Sequence, residues 1–140
     1  MTFEEMDAKY PDGFTDADLV RIVVDYAART AALHLSLRGK PADAPERNVY
    51  EAALLEVRGL YYLAIEAPDR EHISSPAQGK VVVDGFPEDA NGFEPFRALQ
   101  PRLPAGAFCC RLFVHDWNSF IHIAGENATL TWGADRHGRV

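Results

Sequence analysis

The chain holds only two cysteines in 140 residues, Cys109 and Cys110, and they are adjacent. Neighbouring Cα atoms lie about 3.8 Å apart, too close for an ordinary disulfide. No disulfide framework is expected, and two free thiols suit a reducing compartment. No Cys-x-x-Cys pair, His-x-x-x-His helix or Gly-x-Ser-x-Gly elbow occurs, and Gly79-Lys80 lacks the upstream glycine of a phosphate loop. No apolar run approaches the roughly 20 residues that span a bilayer, and MTFEEMDAKY is acidic where a signal peptide is basic. A cytoplasmic, soluble protein is the expectation. Basic clusters are missing too, and with a net charge of −7 this argues against nucleic acid and anionic membrane as partners.

What is present describes one ordinary domain. The composition, 47% hydrophobic and 25% charged, is that of a globular chain able to bury a core without disulfide or metal. Residues 1–13 read as an acidic N-terminal segment, 14–132 as a single β-rich domain and 133–140 as a flexible tail. The first 25 residues carry seven carboxylates against Lys9 and Arg21, a net of −5. Such an excess keeps a protein soluble, and on one face it would steer a basic partner.

Period-two patterning dominates. Leu33, Leu35 and Leu37 alternate with His34, Ser36 and Arg38, and the β-branched run before them places Val20, Ile22 and Val24 on one face. Together they predict a hairpin over TDADLVRIVVDYAARTAALHLSLR, although Thr15 and Asp18 would also serve as a helix cap. Ala53, Leu55 and Val57, then Tyr61, Leu63 and Ile65, predict two strands or one strand bent at Gly59. Lys80–Asp84 is a further short strand. Residues 85–105, with four prolines and three phenylalanines, form a long connection hiding one short helix at Glu94–Leu99. The fold class is therefore mainly β: a single-domain antiparallel sheet or sandwich built from hairpins, with at most one short helix.

The last hairpin, RLFVHDWNSFIHIAGENATLTW, carries the candidate chemistry. Pairing His115 with Phe120 places Cys110, Leu112, Val114, Ile121 and Ile123 on a core face. His115 and His122 then become diagonal neighbours on the other face, roughly 7–8 Å apart between Cβ atoms. Two imidazoles at that spacing can share a metal, but zinc needs a third protein ligand, and Asp116, Asp135 and His137 are not fixed toward the pair. A phase change after Ile123 implies a bulge at Gly125-Glu126-Asn127, with Trp132 as a core anchor. Trp117, at the hairpin tip, together with Phe93 and Phe96 from the long connection, and Asp16 and Asp18 from the acidic stretch, are the candidate partner-binding residues. His72 beside Ser74-Ser75 is a chance triad, and Glu88-Asp89 reads as a solvated pair. No catalytic residue and no cofactor is expected.

Phe14-Thr15-Asp16-Ala17 followed by LVRIVVDYAARTAALHLSL, with ALLEVRGLYYLAIEAPD and FIHIAGENATLTW further on, resembles small bacterial β-rich domains, some of them grouped with immunity proteins of toxin systems. The resemblance implies a non-enzymatic protein-binding module that inhibits a basic partner. The residues also allow a small-molecule or metal-binding protein using the His115/His122 face and the 85–105 loop. A homodimer through the Phe113/Phe120 face is a further expectation.

Overall fold

The computed structural model describes residues 1–10, 12–39, 45, 49–71 and 79–133. Six strands follow one another: β1 (Ala17–Asp25), β2 (Thr30–Arg38), β3 (Tyr50–Ile65), β4 (Val82–Pro87), β5 (Phe108–Val114) and β6 (Ser119–Trp132). All pair antiparallel, and the order β1-β2-β3-β6-β5-β4 closes on itself as a barrel. Closure removes the alternative of two stacked sheets. The predicted hairpin is β1–β2, turning at Tyr26–Arg29, where Asp25 accepts the Ala28 N–H at 3.0 Å and Arg29 takes a left-handed φ of 55°.

Alternation explains the interior. Leu33, Leu35 and Leu37 of β2 and Ala53, Leu55 and Val57 of β3 point inward, as do Cys110, Leu112 and Val114 of β5 and Ile121 and Ile123 of β6. Burying a side chain of this size contributes about 1.5–3 kcal/mol, and this lining is what selects the register. One placement differs from the sequence reading. The pairing of β1 with β2 slips between Leu19 and Arg21, so Val20 is the extra residue of a bulge and stands 68% exposed, while Ile22 and Val24 pack on the core.

β3 is one bent strand, not two. Gly59 has φ +62°, and the register with β6 slips between Leu60 and Tyr62. The irregularity that shifts the phase of β6 thus lies on the facing strand, and β6 itself runs unbroken through Gly125-Glu126-Asn127. Gly125 is required there for close approach, because a Cβ would collide with the Val57 side chain. Trp132 packs against the core, over Gly39 and at 5.3 Å from the Tyr10 ring.

Two short helices accompany the barrel. α2 (Glu94–Leu99) is the one predicted; α1 (Phe3–Lys9) is not. Thr2 caps α1 by accepting the Glu5 N–H at 3.1 Å, Glu4 and Glu5 occupy its first turn and Lys9 its last, all favourable to the helix dipole. Seven residues do not hold a helix alone. Phe3 and Met6, three residues apart on one face, do so by entering the core beside Phe14 and Phe108. The core therefore begins at Phe3, upstream of the turn near residue 14, and α1 seals the barrel end where β5 starts. Among the described residues no helix is long and apolar enough to cross a membrane.

Candidate functional site

The final hairpin turns earlier than the sequence suggests. Phe113 pairs with Phe120 and Val114 with Ser119, so His115 leaves the strand and enters a 3-10 turn, His115–Trp117. Asn118 makes this turn possible: it adopts φ 48°, which asparagine tolerates, and donates from Nδ2 to Asp69 Oδ2 at 3.1 Å. Arg111, not Phe113, is the residue facing His122. The expected diagonal pair of histidines is thereby dissolved, and each histidine has its own carboxylates.

His122 is 3% exposed although it lies on the outward face of β6. Its Nε2 sits 2.6 Å from Glu66 Oε2 and its Nδ1 2.9 Å from Glu88 Oε2. Both ring nitrogens are thereby engaged by carboxylates from two different segments of the chain. Phe93 stacks on it with centroids 3.7 Å apart and planes 1° from parallel, and Tyr62 packs against Phe93 at 5.5 Å. The Glu88 side chain is fully buried, which overturns its reading as half of a solvated pair. Its neighbour Asp89 is spent on the local turn, accepting the Asn91 N–H at 2.9 Å.

Electrostatics follow from these contacts. Burial by itself would raise the Glu66 carboxyl, but hydrogen bonds from His122 and the Phe120 N–H, with the charges of His122 and Arg111, outweigh it and hold the carboxyl below its ordinary range. Burial, and after it the Glu88 charge, pushes the Tyr62 hydroxyl far up. The same causes, with Glu4, raise the Cys109 thiol to about 11, and burial lifts Cys110 further. Neither thiol is a poised nucleophile. His34, buried on β2, is held down by burial and by Arg21.

His115 belongs to a second, more open cluster. Its Nε2 lies 2.6 Å from Asp84 Oδ2, while Asp84 Oδ1 accepts the Asp16 N–H at 2.7 Å. Burial opposes ionisation of Asp84, but these two hydrogen bonds and the His115 charge prevail and lower its carboxyl. Tyr50 donates its hydroxyl to the Asp16 carbonyl at 2.9 Å.

Between His115 and the end of the turn stands Trp117. It is not a bare tip: it lines an apolar hollow of about 300 Å³ with Leu19, Ile22, Ile65, Val81, Val114 and Ile121. Val114 ends the strand that Phe108 begins, so the hollow occupies the barrel end away from α1. The candidate partner residues are scattered accordingly. Phe93 covers His122, Phe96 is buried in α2, Asp16 sits exposed in the cluster with His115, and Asp18 pairs with Ser36 and Val82 at the seam of β1. His72, Ser74, Ser75, Asp135 and His137 lie outside the described residues.

Glu66, Glu88 and Asp84 were not legible as site residues, because nothing local ties a carboxylate to a histidine 31 to 56 positions away. One signal was available. Phe113, Phe120 and Ala124 make the outward face of this hairpin too apolar to stand in water, which requires a cover. No family model, curated protein or solved structure matches the chain.

Proposed function

We propose that the protein is a non-catalytic binder of a small apolar molecule, taken into the open end of the barrel. The hollow carries this reading. Its lining is made of aliphatic side chains and one indole, and Ile65 at its rim is 57% exposed. Apolar surface left in water in this way is stabilised by about 25 cal/mol for each Å² that a ligand covers. A volume of about 300 Å³ is at the small end for ligand pockets and holds roughly ten waters' worth of ligand, a single ring or short chain.

The test is titration with indole, cyclohexanol and short-chain alcohols, followed by heteronuclear NMR and by thermal shift. Shifts concentrated at Ile22, Ile65, Val114, Trp117 and Ile121, and lost in Ile65→Trp, are expected. Shifts spread evenly over the surface, or unchanged in Ile65→Trp, would sink the idea.

A second reading, a protein-binding module of the immunity type that engages a basic partner, is supported by Val20, Val23 and Tyr26. These three are 68%, 48% and 90% exposed on β1 and its turn, in a protein of net charge −7. Pull-down with Tyr26→Ala as comparator and a salt titration separates it from the first. Affinity indifferent to both the substitution and the salt would remove it. Sedimentation at high concentration checks a homodimer through the Phe113/Phe120 face.

A further inference from the structure

Among the described residues, Asp16, Asp84 and His115 each present one ligand atom, and these atoms all lie within 4.8 Å of one another. They arrive from three places in the chain: the residue before β1, the middle of β4 and the turn after β5. Independently of what the hollow holds, we propose that this cluster binds a divalent transition-metal ion at the seam where the barrel closes.

Three observations support the assignment. The donor set is mixed, two carboxylates and an imidazole, which suits zinc, cobalt or manganese better than calcium or magnesium, whose ligands are oxygens. Zinc takes such nitrogen and oxygen ligands at about 2.0–2.2 Å, and a water completes four-coordination when the protein supplies three. The carboxylate of Asp84 is also already oriented: Oδ1 is fixed by the Asp16 N–H at 2.7 Å, which aims Oδ2 at the imidazole. Outer hydrogen bonds of that kind are what hold metal ligands in place. Finally, the cluster can be reached, with the His115 and Asp84 side chains 39% and 24% exposed.

On binding, the hydrated ion exchanges waters for His115 Nε2 and one carboxylate oxygen each of Asp84 and Asp16, keeps one water, and the proton shared between His115 Nε2 and Asp84 Oδ2 passes to solvent. Its position gives it a structural consequence. β1 and β4 meet through only two register pairs, Ala17 with Val83 and Asp18 with Val82. An ion held by Asp16, Asp84 and His115 ties the start of β1 to β4 and to the end of β5, and so strengthens the shortest seam of the barrel. Binding to the folded chain alone raises its melting temperature.

The experiment uses the full chain without a histidine tag, stripped with chelator and titrated with zinc chloride by calorimetry and with cobalt chloride by visible absorption. One site per chain is expected, with cobalt bands of low symmetry, a melting temperature raised by a few degrees and affinity at least tenfold lower in His115→Ala, Asp84→Asn and Asp16→Asn. Glu94→Gln, on exposed α2, keeps the wild-type affinity. His115 is half-exposed, so His115→Ala folds, as circular dichroism will verify. No heat and no cobalt band in wild type, or equal affinity in His115→Ala and Asp84→Asn, overturns the proposal. Ile65→Trp, which blocks the hollow, leaves metal binding intact, so failure of one reading does not imply failure of the other.

Discussion

His122 and His115 stand seven positions apart on one hairpin, and their surroundings are opposite. His122 is sealed under Phe93 between two carboxylates, one of them fully buried. His115 meets Asp84 where solvent reaches both. The same pair of residue types, histidine and carboxylate at 2.6 Å, is therefore a clamp in one case and an accessible ligand set in the other. Burial decides which, because a buried charge cannot lose its partner cheaply, whereas an exposed one turns to water.

The largest effect should follow from breaking the clamp. His122→Ala leaves the buried Glu88 side chain with the Asp89 N–H at 3.1 Å but without its imidazole partner, and a cost of about 3–5 kcal/mol is expected in urea unfolding. Replacing His122 and Glu88 together by leucine should recover most of that loss, since an apolar pair needs no partner. A double variant no more stable than His122→Ala would show that the charge balance is not what matters. Phe93→Ala comes next. It uncovers the ring and removes a stacked partner, with about 1–3 kcal/mol lost and amide exchange accelerated along Pro87–Leu99.

A smaller effect is expected from acid. The Glu66 and Asp84 carboxyls are both lowered from ordinary values of 4.5 and 3.8. A lowered carboxyl contributes stability that is complete above its ordinary value and lost as pH falls through the folded one. Unfolding free energy should therefore begin to decline below about pH 6.5, where His34, held down in the fold, is charged more readily in the unfolded chain, and decline again below about pH 4.5, and Glu66→Gln should flatten part of that second decline. A decline of the same size in the variant would assign the acid limb elsewhere. The smallest effect sharpens the contrast: His115→Ala, in metal-free protein, should cost at most about 1 kcal/mol, as exposed ion pairs do.

The legible part of this protein was the part set by alternation. Leu33, Leu35 and Leu37 announced an inward face, since apolar spacing is a property of neighbouring residues, and the length of the 85–105 connection announced α2. The register of the last hairpin was not legible, because it depended on Asn118 accepting a left-handed conformation and anchoring to Asp69, far away in sequence. Trp117 read as exposed for the same reason: whether a hairpin tip bends over a barrel mouth is decided by the other strands that build that mouth. α1 was hidden behind its charges. Five acidic or polar neighbours outweigh Phe3 and Met6 in any local reading, yet those two side chains fill the barrel end.

Sequence by itself determined an antiparallel β protein with a covered core, because residues i and i+2 on a strand share a face whatever the rest of the chain does. Only the tertiary structure decided that the sheet closes, that one end is stoppered and the other open, and that the histidines part company. The barrel closes where Ala17 meets Val83, the stopper forms where Phe3 reaches Phe108, and the histidines find carboxylates 31 to 56 positions away, and no local preference encodes such meetings.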